Sequence, residues 1–200
     1  MFSEEERNIF IEYSLQNEDN LKISINSALS FRHLRERIIR DFIELIEKSL
    51  RKELDELIDD WTIDNSIKDN IFEHWNGVFL SKKTWNQDYQ IGFSSEKHDA
   101  KGFIIGVAKN EKVPHIDGLL EKLNNEYRQG SQSNSWNWYQ WMDQPYRDWD
   151  NEEILIMMYN DEATDYFTKH IMTIVRIASD IIDSQIKTNS ANIKAINSDS

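Results

Sequence analysis

The sequence predicts an α+β fold: an antiparallel β-meander packed against one long helix in the N-terminal half and against helices at the C-terminal end. Three observations carry this. Apolar residues recur at three- and four-residue steps from Phe31 to Trp61. Between Val78 and Val107 that period gives way to two-residue alternation rich in β-branched and aromatic residues, and helical spacing returns after Asp150. A sheet with one apolar face needs a helical stripe to cover it, and this chain supplies both.

Residues 4–20 mix acids with Ile9, Phe10, Ile11, Tyr13 and Leu15, which predicts a short amphipathic helix broken by residues 17–20. Ser30 is placed as the cap of the long helix, whose stripe reads Phe31, Leu34, Ile38, Phe42, Leu45, Ile46, Leu50, Leu54, Leu57 and Trp61. Seven basic residues between Arg32 and Lys52 alternate with Glu36, Asp41, Glu44 and Glu47, the pattern of a solvated face laced with i,i+4 pairs. Strands are expected at residues 77–82, 89–93 and 102–107, the last two joined as a hairpin through residues 94–101, in a sheet of three to five strands. Asp117 is expected to cap a helix over residues 118–128 stopped by Gly130. Asp150 and Glu153 resemble a capping box that opens a helix through Met158. Tyr166, Phe167, Ile171, Ile174, Ala178, Ile181 and Ile182 trace a last helix to about Ile186. Residues 1–186 thus read as one domain and residues 187–200 as a flexible polar tail.

Composition removes several classes of function. A net charge of −13 disfavours direct binding of nucleic acid, because affinity for phosphates comes from Lys and Arg releasing counterions. There is no cysteine, which excludes disulfides, thiolate nucleophiles and Cys-bound zinc and suits a reducing, cytoplasmic setting. No window approaches about 18 consecutive apolar residues, so no membrane span is expected. No glycine-rich phosphate loop or nucleophile-elbow serine is present, and neither a cofactor nor a metal is expected. The five histidines, His33, His74, His98, His115 and His170, lie far apart without metal-ligand spacing, and ordinary surface or packing roles are expected for them.

Asp88 followed by Asp99-Ala100-Lys101 matches the spacing of a Mg²⁺-dependent nuclease, in which two carboxylates hold the ion and the lysine activates water. The triplet also has the ordinary composition of an exposed hairpin loop, and that is the preferred reading. The locally distinctive feature lies further on, where four of the seven tryptophans fall between Trp136 and Trp149. Such rings either pin the open end of the sheet to the last helices or present flat faces to a ligand. In the second case Trp136, Trp138, Trp141, Tyr146 and Arg147 form the binding set. Trp149, next to the Asp150 cap, is expected to pack inside, and Trp138 to face the ligand.

The order of a long charged helix, a hairpin reading Tyr89-Gln90-Ile91-Gly92-Phe93 then Gly102-Phe103-Ile104-Ile105-Gly106-Val107, and Ser135-Trp136 with a following Trp149 resembles a known region. It is similar, across residues 30–185, to the C-terminal accessory region of PD-(D/E)XK nuclease-like family proteins of bacteria and prophages. That family's nuclease core lies upstream and is expected to be absent here, so no catalytic carboxylate or lysine carries over. The resemblance implies a non-enzymatic binding or sensing domain in phage–host conflict, as defence or anti-defence. A protein partner or a nucleotide-like ligand would meet the tryptophan-rich segment. Two alternatives stand beside it. One is an acidic DNA mimic that inhibits a nucleic-acid-binding protein, motivated by 36 acids against 23 bases; the other is a small nuclease built on Asp88, Asp99 and Lys101.

Overall fold

The computed structural model describes residues 3–57 and 60–198, with side-chain surroundings up to Thr188. Its centre is a six-stranded antiparallel sheet in the order β1-β2-β3-β4-β6-β5. The strands are β1 (Trp61–Asn65), β2 (Gly77–Lys82), β3 (Tyr89–Lys97), β4 (Lys101–Lys109), β5 (Ser131–Ser133) and β6 (Trp136–Trp141). The helices are α1 (Glu4–Leu15), α2 (Glu18–Asp55), α3 (Leu119–Glu126), α4 (Glu152–Tyr159) and α5 (Thr164–Ser198). The α+β meander packed by helices is therefore what the chain forms, with more strands than expected.

One face of the sheet carries Val78, Leu80, Ile91, Phe93, Phe103, Ile105, Val107 and Trp138, all buried in the core with α2 and α5. From α2 come Ile39, Phe42, Ile43, Ile46, Leu50 and Leu54, spaced to make one stripe along the helix. Trp149 fills the centre of this layer. Its ring stacks on Phe103 and meets Phe42, Phe93 and Phe167 at centroid distances of 5.6, 6.1 and 5.7 Å. Its Nε1–H donates to the Tyr146 carbonyl at 2.8 Å, so the buried indole leaves no donor unpaired.

Several boundaries differ from expectation. Asn17 does not end helical structure: its side chain accepts the Asn20 N–H at 2.8 Å and caps α2, which starts twelve residues before Ser30. Phe31 and Leu34 are exposed, because the first half of α2 extends beyond the sheet and meets α1 instead of the core. Trp61 continues the helical spacing but belongs to β1, where its ring packs edge-on to Trp85. Asp117 makes no cap bond; Gly118, at φ 75°, precedes α3 in a left-handed conformation that suits glycine. Asn151, not Asp150, caps α4 by accepting the Ile154 N–H at 3.1 Å, while Asp150 pairs with Lys101 at 2.5 Å. α5 runs past Ile186 to Ser198, so the expected polar tail is helical there, with Thr188 returning its hydroxyl to the Ser184 carbonyl.

Two features outside the core bear on function. α1 and the first half of α2 form a helical hairpin held by a 2.7 Å contact between the Ser14 and Ser24 hydroxyls and by Asn20 Nδ2 donating to the Tyr13 carbonyl. Eleven large apolar side chains between Ile9 and Leu34 are exposed on it. Among the described residues, no helix is long and apolar enough to cross a membrane.

Candidate functional site

The face of the sheet turned away from the helices holds an open groove of about 430 Å³. Its origin is a glycine pair. Gly92 and Gly106 lie directly opposite each other on β3 and β4, flanked by Phe79 on β2 and Tyr139 on β6. A Cβ on Gly92 would lie 2.0 Å from the Val78 carbonyl oxygen, and one on Gly106 would lie 2.1 Å from that of Trp138, so both positions require glycine. With no side chain between them, the rings of Phe79 and Trp136 lean together to 6.1 Å, although β3 and β4 separate their strands by spacings that would otherwise hold them about 14 Å apart.

Trp136 reaches this face because of a β-bulge. Val107 pairs with Trp138 and Ala108 with Trp136, leaving Asn137 as the extra residue on β6. The bulge sends two tryptophans that lie two apart in sequence to opposite faces. Asn137 is buried, and its Oδ1 accepts the Ile116 N–H at 3.0 Å, which fixes the kink.

Trp75, Phe79 and Trp136 supply the aromatic lining, and Glu96, Glu111, Ser94, Ser133 and Ser135 the polar part. Trp75 is 67% exposed and sits at φ 62°, held there by its N–H donating to the Ser95 carbonyl at 2.6 Å. Glu96 makes no hydrogen bond or ion pair among the described residues, and burial lifts its pKa above the ordinary glutamate value despite nearby His74. Lys109, the lining cation, is turned away: its Nζ donates to the Val113 carbonyl at 2.8 Å and to that of Asn110 at 3.3 Å. The groove therefore presents aromatic faces and carboxylates, with its own ammonium group already engaged.

At the Trp75 end, Glu73 and His74 meet His98 from the β3–β4 turn. Glu73 Oε1 lies 2.5 Å from His74 Nδ1 and 3.0 Å from His98 Nδ1. The two imidazole rings are 4.3 Å apart, and Trp75 lies 4.2 Å from His74. Two histidines for which separate, ordinary roles were expected thus share one carboxylate oxygen.

The five residues expected to bind do not form one surface. Trp138 is fully buried on the helix side, with Nε1–H donating to Asn124 Oδ1 at 2.9 Å, which corrects its assignment as an outward ring. Tyr146 is spent on Tyr166, stacked at 3.6 Å and 6°. Trp141 is 40% exposed, but the Arg147 guanidinium lies 4.4 Å over its ring and covers it. Trp136 alone of the five lines the groove. The nuclease set does not assemble either. Asp88 precedes β3 and Asp99 follows it, so the nine residues of that strand, about 30 Å, lie between them, and Lys101 is engaged with Asp150.

Trp75, Phe79, Glu96 and Glu111 have no local sequence signature, since strand pairing brings them together from four segments. The available clue was the two glycines inside strand patterns, which mark a close backbone approach. Comparison with known protein families, with curated proteins and with solved structures gave no match.

Proposed function

We propose that this is a non-enzymatic binding protein whose groove on the open sheet face receives a positively charged group of a protein partner, such as a lysine, methylated lysine or arginine side chain. The observation that carries the reading is the pairing of three aromatic walls with the desolvated carboxylate of Glu96. A cation gains from ring faces and from a carboxylate that lacks an internal partner, and it gains more where water is partly excluded. A nucleotide-like ligand is disfavoured at this groove, because Glu96 and Glu111 would face its phosphates.

A protein partner is further supported by the eleven large apolar side chains exposed on the α1–α2 hairpin, since apolar surface left in water on a folded domain is used for interaction. The order of long helix, hairpin and tryptophan-bearing strand supports an accessory domain of the PD-(D/E)XK kind, in defence or anti-defence. Pairing of Arg37 with Asp41, Arg40 with Glu36 and Arg51 with Glu47 neutralises acids on α2 locally, which favours a groove binder over an acidic DNA mimic.

The test is a tryptophan-fluorescence titration with tetramethylammonium, with N-acetyl-arginine amide and with AMP. The proposal expects saturable responses to the two cations and none to AMP. A saturable response to AMP with none to either cation overturns it.

A further inference from the structure

We propose that Glu73, His74 and His98 form a binding site for a divalent transition-metal ion of the zinc class, at the junction of the loop before β2 and the β3–β4 turn. The donor set is one carboxylate oxygen and two imidazole nitrogens, all within 4.8 Å of one another. Imidazole with carboxylate suits zinc, nickel and copper and is a poor match for calcium or magnesium, which take all-oxygen shells.

The spacing fits. Zinc bonds of about 2.0–2.1 Å in a tetrahedron set neighbouring ligand atoms about 3.3 Å apart. The contacts of Glu73 Oε1 with the two Nδ1 atoms, at 2.5 and 3.0 Å, lie within a few tenths of an ångström to an ångström of that edge. Admitting an ion therefore requires side-chain adjustment and no movement of backbone. Without an ion, both histidines can hold this geometry only by donating Nδ1–H to the same oxygen. With one, each neutral ring coordinates through Nδ1 and carries its proton on Nε2.

The backbone holds the ligands in place from two directions. Ser95 N–H donates to the Asn76 carbonyl at 3.2 Å, Ser95 Oγ donates to the Glu73 carbonyl at 3.2 Å, and Asp99 N–H donates to the Phe72 carbonyl at 2.8 Å. These bonds stitch the loop bearing Glu73 and His74 to the hairpin on either side of His98. Preorganisation of this kind is what separates a metal site from carboxylates and imidazoles that drift together on a surface. Three protein ligands leave a fourth position open to solvent, since His98 is 66% exposed.

The site is independent of the groove's choice of ligand and is tested on the full chain with metal alone. Metal-free protein is titrated with Zn²⁺ by calorimetry and with Co²⁺ by visible absorption, with Trp75 fluorescence as a third readout because its ring lies against His74. The proposal expects one ion per chain and Co²⁺ absorption of a low-coordinate nitrogen–oxygen site. His74→Ala, His98→Ala and Glu73→Gln should each weaken Zn²⁺ affinity tenfold or more, while His115→Ala leaves it unchanged. All three side chains are at least partly exposed, so the variants should melt near the parent and report on binding. Equal Zn²⁺ affinity in the parent and a His74→Ala/His98→Ala double variant would show a hydrogen-bonded cluster only and overturn the proposal. So would an equal loss in His115→Ala.

Discussion

The rings of Phe103 and Trp149 lie parallel, 3.8 Å between centroids and 16° between planes, at the centre of the layer between sheet and helices. The same tryptophan accepts Arg35 Nε–H from α2 at its carbonyl, at 2.9 Å, and donates its backbone N–H to the Ala100 carbonyl at 3.0 Å. One residue thus joins the long helix, the hairpin turn and the terminal helices. Trp149→Ala should cost about 3–5 kcal/mol, a large part of a total of roughly 5–15. Urea unfolding should show the midpoint falling steeply; a loss under about 1 kcal/mol would show that the ring is not central.

Trp138→Ala should be destabilising on a similar scale, in contrast to a surface tryptophan. Its ring is enclosed beside Tyr127, and its Nε1–H shares Asn124 Oδ1 with the Gly130 N–H, which donates at 2.8 Å. Truncation opens a cavity and removes one of the two N–H groups that donate to Asn124 Oδ1. Trp141→Ala, by comparison, should melt within a few degrees of the parent, because it loses only a half-exposed ring and a cation–π contact. Equal losses for the two in the same thermal scan would contradict the placement of Trp138 inside the fold and Trp141 at its surface.

Stability should fall on acidification through a window set by His170. Burial, with Arg128 nearby, pushes its pKa down to about 4 from an ordinary 6.5, against the pull of Asp143. Its Nδ1 meets the Tyr127 hydroxyl. Because the folded pKa is the lower one, the unfolded chain takes up the proton first. The contribution is therefore whole above pH 6.5 and is lost as the pH drops toward 4. Urea midpoints measured across that window should slope downward, and His170→Gln should flatten the slope; an unchanged slope would place the titration elsewhere.

Glu96→Gln should separate stability from binding. The raised pKa of Glu96 means that its ionised form is disfavoured in the folded chain, so its penalty is present above the ordinary glutamate value and disappears on acidification. The amide removes that penalty, and the variant should melt at or above the parent at neutral pH. Its affinity for tetramethylammonium should nonetheless drop severalfold. A variant with a lowered melting temperature and full affinity would mean that Glu96 serves structure alone.

The helix–sheet partition was legible because a buried stripe in α2 and two-residue alternation in β3 and β4 are local patterns. The failures have separate physical causes. β1 reads Trp-Thr-Ile-Asp-Asn, too short and polar to alternate clearly, and Trp61 happens to extend the helical spacing of Leu57. β6 was hidden by the bulge, which breaks the two-residue rule at the place where Trp136 and Trp138 suggested one common face. The groove was illegible for a different reason. Trp75, Phe79, Glu96 and Trp136 meet only once four strands are in register, and Trp136 alone of them belongs to the tryptophan run. His74 and His98 likewise lie 24 positions apart and meet through strand pairing.

Binding of a cation between Trp75 and Trp136 on the open sheet face can be followed in the indole N–H resonances of the seven tryptophans during a tetramethylammonium titration. Each signal is assigned by single Trp→Phe replacement. Trp75 and Trp136 should shift saturably, with Trp85, Trp138 and Trp149 unmoved because their Nε1–H groups are hydrogen-bonded inside the fold to Asp183, Asn124 and Tyr146. Shifts confined to Trp141, or no saturable shift of Trp75 and Trp136, would contradict binding there.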